Sequence, residues 1–463
     1  MLRNIYIRQL FILLVILINT SCEDFVEIET PKHKIVSATV FAEDETAISA
    51  MTGIYNELFN ADFSGGWRSS VSVLSGLSSD VLEPVNSNSV SNAEFNQNEI
   101  SPNNDYNFNL WSSTFNIIYM TNALLEGLSN SEGVSEEVSL RLEGEASFIR
   151  AFSYFYLVNL YGDVPIILST DYEQNSLVTR NNREAVYELI IEDLEASIVF
   201  LDSHTESEDR TRVNKFVATA MLARVYLFME DWEKAEILSN QVLAETSKYE
   251  ILENLDEVFL PNSKEAIWQI SPIGGNVLTN TNEGSVYIGT SRSSIKLSDQ
   301  FVSSFSLEDK RLDQWVGFYS DTNRAFHFPF KYKDRSSTNN ITEYSMVLRL
   351  AEQFFIRAEA RARTGNLSGA IADLDEIRSR SNLETISESN PGIGQEQLLE
   401  LIQEERKKEL FSEWGHRWLD LKRTNRASEI LSPFTSWEDT DVLYPIPEED
   451  RMKNPNLTQN DGY

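Results

Sequence analysis

Apolar residues recur at intervals of three and four over most of this chain, which predicts a mostly helical protein. The first stripe of this period runs from Ala47 to Leu58. The same period predicts helices in four further segments, at about 108–125, 136–161, 183–198 and 396–411. The segment 136–161 is the longest and is rich in aromatic residues on several faces. It is therefore expected to lie buried between other helices.

Two predicted helical hairpins share one spacing of small and bulky residues. The spacing is nine and then three residues, in the sets Ala223, Trp232, Ala235 and Ala358, Leu367, Ala370. A helix with small residues, a tight turn and a second helix is typical of tetratricopeptide repeats. The two hairpins lie 135 residues apart, so we do not expect a regular solenoid. Close packing of helices is the expected role of the alanines.

Two segments lack the helical period. Residues 64–97 are rich in Ser, Asn and Gly and predict long surface loops. In residues 251–342, β-like pieces at 266–270 and 285–288 alternate with Gly, Asn and Ser, and aromatic residues become dense toward the end. Long loops in a compact chain are commonly functional. These segments are therefore where we expect a ligand to bind.

The N-terminus has the pattern of a secretory signal. Arg3 and Arg8 precede an apolar run over 10–18, and small residues then lead to Cys22, the only cysteine. The run is too short to span a bilayer, which needs roughly 20 residues. The pattern predicts a lipoprotein signal peptide and a lipidated Cys22 that anchors the protein in a membrane. Asn19 stands where bacterial lipoprotein signals usually carry Leu, so an ordinary cleaved signal is the alternative.

Charge and motif content exclude several classes of function. The formal net charge is −33, which argues against nucleic acid and against direct adsorption on anionic lipid. The chain contains no HExxH, P-loop or GxSxG motif. Its four histidines are far apart in sequence: His33, His204, His327 and His416. We therefore expect no catalytic residues, no metal site and no cofactor.

Charged residues near the C-terminus have two interpretations. Glu409, Arg417 and Asp420 lie close together in sequence, between predicted helices. A ligand-binding role is one interpretation. The favoured one is an ion-pair network that fixes the C-terminal helix.

Several long motifs resemble one known family. They are the runs 151–165, 212–215, 405–423 and 444–463, of which 405–423 reads ERKKELFSEWGHRWLDLKR. Together with the lipoprotein-like N-terminus, they resemble the SusD/RagB-like outer-membrane lipoproteins. The resemblance implies irregular tetratricopeptide-like helix pairs that form an α-helical scaffold, with long loops and a few short β-strands on the ligand-binding side. It also implies a protein that performs no chemistry on its ligand.

The same resemblance implies a domain organisation and partners. Residues 1–21 would be the signal peptide, 22–42 a lipidated tether and 43–463 a single α domain. Its scaffold would lie mainly in 43–250 and 343–425, with a loop-rich, ligand-binding insert at about 251–342. The protein would sit on the outer membrane, facing outward, as a lid over a TonB-dependent, SusC-like transporter.

Candidate ligand contacts come from composition and loop location. Sugar binding without catalysis needs flat aromatic faces together with hydrogen-bonding groups. Six residues in loop-like sequence meet that need: Trp67, Arg68, Tyr287, Arg292, Trp315 and Tyr319. Trp67, in a glycine-containing setting, could instead fold back on the helices. By contrast, four tryptophans are at helical or motif positions and are expected in the core: Trp111, Trp232, Trp414 and Trp418.

The sequence thus predicts a cell-surface lipoprotein that captures oligosaccharides and delivers them to the transporter. Two alternatives remain open. The same scaffold could capture peptides through its loop asparagines, or the protein could be a helical-repeat assembly protein without a ligand.

Overall fold

The computed structural model describes residues 37–86, 89–202, 209–272 and 278–463. The predicted signal peptide, Cys22 and most of the predicted tether lie outside these residues. His33 and His204 also lie outside them.

The N-terminal half of the scaffold consists of helices of very different length. Their bounds are α1 Ser37–Val40, α2 Asp44–Asn60, α3 Val71–Leu77, α4 Val90–Gln97, α5 Asp105–Ser129, α6 Glu136–Tyr161, α7 Tyr172–Asn175, α8 Arg183–Leu201, α9 Lys215–Phe228 and α10 Trp232–Leu243, with strand β1 Leu82–Pro84 between α3 and α4. The predicted helix at 136–161 is confirmed with the same bounds, and its aromatic residues are buried. It ends at Gly162, whose φ of +73° favours glycine.

The segment 251–342, predicted as a loop-rich insert, contains short elements. They are a 3₁₀ turn Leu255–Glu257, β2 Ala266–Ile270, α11 Asn282–Tyr287, β3 Ile295–Leu297, α12 Asp299–Ser303, α13 Lys310–Trp315, β4 Val316–Ser320 and β5 Ala325–Pro329. We call residues 251–342 the insert. Strand β3 pairs antiparallel with β1 from the N-terminal half, and β4 pairs antiparallel with β5 inside the insert. Strand β2 pairs with β6, Ser345–Arg349, which leads back into the scaffold.

The C-terminal half returns to helices. Their bounds are α14 Leu350–Arg363, α15 Leu367–Arg380, α16 Ile386–Ser389, α17 Gln395–Glu409, α18 His416–Arg423, α19 Ala427–Leu431, a 3₁₀ turn Asp439–Val442 and α20 Glu448–Lys453. The described chain is therefore mostly helical with a few short strands, as predicted.

The helices pack in sequence order, each long helix against the next. Helix α5 packs on α6, α6 on α8, α8 on α9 and α9 on α10. Helix α10 then packs on α14, across the whole insert, and α14 packs on α15 and α17. The two predicted hairpins, α9–α10 and α14–α15, are thus neighbours in space. The repeat stack continues through a break of about a hundred residues in the sequence.

The two hairpins have the same turn chemistry. The second residue after the first helix has a left-handed backbone in both turns, Glu230 at φ 60° and Gly365 at φ +88°. The next residue caps the second helix with its side chain, Asp231 to the Lys234 N–H and Asn366 to the Gly369 N–H. The alanines of the shared spacing are fully buried, so their role in close packing is confirmed.

The prediction of long surface loops at 64–97 was wrong. Helix α3 lies in this segment, and every one of its residues is buried. Its serines make contacts that an apolar stripe would not show: Ser72 Oγ accepts a hydrogen bond from the Trp414 N–H at 2.9 Å. Gly415 comes so close that a Cβ there would lie 2.7 Å from the Ser75 side chain. Small polar residues here permit close packing between α3 and the 405–423 motif.

A second local prediction also failed, because residues 285–288 are mostly helical in α11 and form no strand. The β-like segment at 266–270 is confirmed as β2, and all five of its residues are buried. The C-terminal motif is tied to the scaffold. Asn460 Nδ2 donates to the carbonyl oxygens of Tyr161 and Tyr444.

Candidate ligand-binding site

The loop that carries Trp67 is held rigidly at the end of α2. Ser64 Oγ donates to the Leu58 carbonyl at 2.6 Å, and Asn282 Nδ2 from α11 donates to the Gly65 carbonyl at 2.8 Å. A Cβ on Gly65 would lie 2.2 Å from the Phe59 carbonyl oxygen. Glycine stands here because the backbone segments approach so closely, and the loop does not have the flexibility that its glycines suggest.

Gly66 rests on the first turn of α11. Its φ is +73°, and a Cβ at this position would lie 2.2 Å from the Glu283 carboxyl carbon. The loop and α11 therefore form one packed unit. The position of Trp67, the next residue, is set by α11.

Trp67 and Arg68 lie at the surface of this unit. The Trp67 side chain is 42% exposed, and Arg68 is exposed as well. The Arg68 guanidinium carbon lies 5.8 Å from the centroid of the Trp67 ring. An exposed indole with an adjacent guanidinium supplies both a flat apolar face and hydrogen-bond donors.

The β4–β5 hairpin lies at the other end of α11. A Cβ on Gly289 would lie 2.4 Å from the Phe328 ring and 2.9 Å from the Tyr319 Cβ, so the residues after α11 touch the hairpin directly. Helix α11 has six residues and is about 9 Å long. It therefore joins the Trp67 loop to the hairpin by a short, packed element.

The hairpin presents a second pair of aromatic rings. Phe318 pairs with His327, and Tyr319 pairs with Phe326. Phe318 is 61% exposed, and its ring centroid lies 5.0 Å from that of His327. Tyr319 is half-buried against Phe326 at 5.2 Å. Successive strand residues point to opposite faces, so Phe318 and Tyr319 offer rings on both sides of the hairpin.

Tyr319 is oriented by a carboxylate in the hairpin turn. Its hydroxyl donates to Asp321 Oδ2 at 2.8 Å, and that bond raises the pKa of the Tyr319 phenol. The pKa of Asp321 is lowered by two hydrogen bonds that its carboxylate accepts. The one from the Asn323 backbone N–H has the larger effect, and the one from the Tyr319 hydroxyl has the smaller effect. Both groups keep their ordinary charge at neutral pH. Arg292, in the loop before β3, is exposed.

Two of the six predicted contacts are not at the surface. Trp315 is 0% exposed, and its Nε1 donates to the Leu255 carbonyl at 3.2 Å. Tyr287 is 2% exposed and faces the interior from α11. Neither ring can take a ligand in this structure, because both faces are covered by protein. The candidates that remain exposed or half-buried are Trp67, Arg68, Arg292 and Tyr319, with Phe318 on the opposite side of the hairpin from Tyr319; we call this set of residues the aromatic face.

Trp315 is surrounded by cations. Three of them lie over its ring, Lys331 at 4.6 Å, Arg380 at 5.5 Å and Arg349 at 5.7 Å from the centroid. Phe259 contacts it edge-on at 5.9 Å. Buried cations over an aromatic ring gain cation–π attraction, which is strongest when water is excluded. Trp315 thus seals the junction between the insert and the scaffold.

These cations, together with Arg311 from the insert, bind buried glutamates of the 405–423 motif. Arg349 Nη1 lies 2.7 Å from Glu409 Oε1, and Arg311 Nη2 lies 2.6 Å from Glu405 Oε2. Burial opposes ionisation of Glu409, but Arg380, Arg349 and Arg311 outweigh it and hold the pKa of that carboxyl well below its ordinary value. The motif therefore fastens the insert to the scaffold through charged pairs inside the protein.

The predicted ion-pair role of Glu409, Arg417 and Asp420 is confirmed, although the partners are spread wider than predicted. Arg417 binds Asp80 in a bidentate pair at 2.7 and 2.8 Å, which ties α18 to the residues before β1. Asp420 accepts from Arg406 at 2.9 Å and from Arg423 at 2.7 Å. All three residues are buried and structural.

Glu283, which lies under the Trp67 loop, has an unusually high pKa for a carboxyl group. Burial raises its pKa to about 7, the Ser345 hydroxyl opposes that change and Glu343 adds to it. Glu283 Oε2 has no hydrogen-bond partner among the described residues. The carboxyl is therefore protonated in acid and loses its proton near neutral pH.

No group of three or more His, Cys, Asp or Glu side chains in the described ranges could hold a metal ion. Of the helices between residues 37 and 463 that are described, none is long and apolar enough to cross a membrane.

Expected core tryptophans are found where the sequence predicts, with one difference. Trp111, Trp414 and Trp418 are buried, whereas Trp232 is half-buried at the start of α10. Sequence reasoning missed Asn282 and Glu283, which position the Trp67 loop. Ordinary polar residues in a loop-like segment give no signal of that role.

The fold defines a class of helical-repeat proteins in which an insert separates two hairpins of the repeat. Comparison with known proteins gives the family. A family model described as starch-binding and associating with the outer membrane matches residues 38–227, and the SusD family model matches residues 323–463. The chain belongs to the SusD/RagB-like family, whose description places it at the outer membrane.

Individual relatives cover almost the whole chain. A SusD-like protein of Formosa agariphila is 24% identical, over 96% of this chain and 96% of its own length. A SusD superfamily protein from Bacteroides vulgatus has a TM-score of 0.79 at 19% identity, over 92% of this chain and 100% of its own. A laminarin-binding SusD-like protein has a TM-score of 0.78 at 23% identity, over 91% and 100%. These similarities show the fold.

Proposed function

We propose that this protein captures a glycan on the aromatic face at the cell surface and passes it to a TonB-dependent transporter. The exposure of the Trp67 ring on a fixed loop is the observation that supports the proposal. The Trp67 indole is 42% exposed although the loop beneath it is fixed by Asn282 and by close backbone contacts. An apolar ring held at the surface by a rigid support is ready to bind without paying an ordering cost.

The composition of the face suits a sugar. Trp67, Phe318 and Tyr319 supply rings against which pyranose C–H groups can stack, and Arg68 and Arg292 supply donors for hydroxyl groups. One structural relative, similar over most of both chains, is described as laminarin-binding. β-Glucan oligosaccharides from laminarin are therefore the first ligands to test.

We further propose that Cys22 carries a lipid that anchors the protein in the outer membrane. Residues 22–42 would then connect the anchor to the scaffold, which the structure describes from residue 37. The replacement Cys22→Ala should release the protein from membranes in a cell fractionation. Ligand binding by the purified protein should remain, and a variant that stays in the membrane fraction would contradict the anchor.

Titration calorimetry of the mature chain with a panel of oligosaccharides tests capture. The replacement Trp67→Ala should lower the affinity for a bound glycan by about tenfold or more, since one aromatic contact contributes about 0.5–1.5 kcal/mol beyond its buried area. Stability should not change.

Tyr172→Ala is the matched control. Tyr172 is 76% exposed and lies on a different surface, beside Trp111 and Tyr119. Its loss should leave glycan affinity unchanged. If Trp67→Ala binds as well as the unmodified protein, the aromatic face is not the site. Binding to peptides and to no saccharide would favour the peptide alternative, and co-purification with a barrel without any ligand would favour an assembly role.

A further inference from the structure

A cavity lies at the C-terminal end of α6. Most residues that line it are distant in sequence from the aromatic face. The volume of the cavity is about 630 Å³. It is bounded by the end of α6, the start of α8, the end of α18 and the C-terminal tail. Four cations line it, Arg180, Arg183, Lys422 and Arg423. Arg423 is bound to Glu359 and Asp420 and is therefore neutralised.

The other three cations have no carboxylate partner. Among the described residues, no side-chain carboxylate lies within ion-pair distance of Arg180, Arg183 or Lys422. Arg180 donates to neutral oxygens only, including the carbonyls of Asp163 and Thr458. Asp163, Asp439 and Asp461 also line the cavity, so the three cations have carboxylates nearby but form no direct ion pair with them.

Lys422 retains free hydrogen-bond donors. Its ammonium donates to the Asn159 carbonyl near the end of α6. That contact explains a cation here, because the last carbonyls of a helix attract positive charge. It uses one of the three N–H donors of the ammonium, no second hydrogen bond of Lys422 is found among the described residues, and Lys422 lines the cavity.

Arg183 is unfavourable where it stands. It is the first residue of α8, a 19-residue helix whose N-terminus carries partial positive charge. It also repels Lys422: burial, with Arg183 adding to it, lowers the pKa of Lys422 to about 7. Its guanidinium carbon lies 5.3 Å from the centroid of the Tyr187 ring, which is a favourable contact, but among the described residues it has no carboxylate within ion-pair distance. A bound anion between the two side chains would remove both costs.

Other groups that line the cavity restrict the chemical class of ligand that it can bind. Thr440 Oγ1 is buried and has no hydrogen-bond partner among the described residues. Its hydroxyl group can therefore donate one hydrogen bond to a ligand or accept one from it. The remaining charged groups that face Lys422 across the cavity are carboxylates as well as cations: Asp163, Arg180, Arg423, Asp439 and Asp461. Three carboxylates disfavour a polyanion. They admit a ligand with one anionic group and several hydroxyls.

We propose that this cavity binds the carboxylate or sulfate group of an acidic saccharide, held between Lys422 and Arg183. The choice of a saccharide rests on the proposed function. The oxyanion would accept from Lys422 Nζ and from the Arg183 guanidinium, and a sugar hydroxyl would bond to Thr440 Oγ1. Charge-assisted bonds of this kind are about twice as strong as neutral ones.

Calorimetry with sodium glucuronate, glucose and sodium sulfate at matched ionic strength tests the proposal on the mature chain. Glucuronate should bind about tenfold or more tightly than glucose. The replacement Arg183→Gln should remove that preference and leave the thermal melt unchanged, because Arg183 is exposed. Lys422→Met is the second variant and should also remove it. Affinity for glucuronate should fall as the pH rises above about 7, because the Lys422 ammonium is then lost.

Equal binding of glucose and glucuronate would overturn the proposal, and so would an unchanged preference in Arg183→Gln. If the protein binds sulfate but not glucuronate, the cavity is a site for inorganic anions, and the proposal of a saccharide ligand is wrong. The two sites are separable. Trp67→Ala should leave the glucuronate response intact, and Arg183→Gln should leave neutral glycan binding intact, so failure of one does not imply failure of the other.

Discussion

Trp67 and Trp315 have similar sequence surroundings and opposite environments. Each follows a stretch without an apolar stripe and has a basic or aromatic residue close by. The Trp67 ring is 42% exposed on a fixed loop, whereas Trp315 is 0% exposed at the junction of insert and scaffold. The same residue type serves as a surface ring in one region and as a structural ring in the other.

The difference arises from residues distant in sequence. Trp67 is supported by Asn282 and Glu283, which contact the backbone of its loop and leave the ring free. Trp315 is covered by Lys331, Arg349 and Arg380, whose charges are in turn bound by buried glutamates. A tryptophan near a glycine is therefore not flexible by default, and one near charged residues is not exposed by default.

Replacing Trp315 by alanine should produce the largest effect. Removal of a fully buried tryptophan costs about 3–5 kcal/mol, and here it also removes the ring that three cations contact. Denaturant unfolding should show the loss in the free energy of unfolding. Trp67→Ala is the control and should change that free energy by less than about 0.5 kcal/mol, as for exposed residues in general. Equal losses in the two variants would refute the distinction between the two rings.

The replacement Glu283→Gln should change stability through pH. The folded pKa of Glu283 is about 7 against an ordinary 4.5, so the folded protein binds more protons than the unfolded chain between those values. The free energy of unfolding therefore falls as pH rises through that window, and above pH 7 the full cost remains. That cost is about 3 kcal/mol at 1.36 kcal/mol for each unit of pKa.

The difference between the Glu283→Gln variant and the unmodified protein isolates this carboxyl from all others. It should be near zero at acidic pH, grow as pH rises toward neutral and stay constant in mild alkali, with the variant more stable. A difference that does not depend on pH would mean that Glu283 is ionised in the folded protein. Melts across the pH range, in buffers of equal ionic strength, measure it.

A pair of glycine replacements, of which Gly365→Ala has the smallest expected effect, tests whether the Trp67 loop is rigid. Gly66 and Gly365 both have positive φ, and only Gly66 is crowded, by Glu283. Gly365→Ala should cost about 1–2 kcal/mol from the backbone alone. Gly66→Ala should cost about 1–3 kcal/mol more from overpacking and should weaken glycan binding by displacing Trp67. If Gly66→Ala and Gly365→Ala lower the free energy of unfolding equally, the Trp67 loop is not rigid.

Much of the scaffold could be predicted from the sequence. The helix at 136–161 and both hairpins follow from apolar period and spacing alone, because those patterns reflect local geometry. Helix α3 could not be predicted, since its buried face is made of Ser and Gly and makes hydrogen bonds that no apolar stripe reveals.

The candidate site was predicted only in part. Aromatic rings with adjacent donors correctly pointed to Trp67 as an exposed residue, and composition could not separate it from Trp315. The burial of Trp315 depends on Lys331, Arg349 and Arg380, which reach it from three different elements. Such contacts between distant segments require the fold.

The packing of α10 against α14 has a consequence for how the chain can vary in length. The stack of helices closes over the insert, and β2 and β6 bring the two ends of that segment together. The entropic cost of closing a loop rises slowly, by about 0.6 kcal/mol for each doubling of its length. Segments can therefore be added to or removed from the tips of the insert with little loss of stability, provided that its contacts with the glutamates of α17 are kept. A designer could exchange the β4–β5 hairpin for one of another size and retain the helices unchanged.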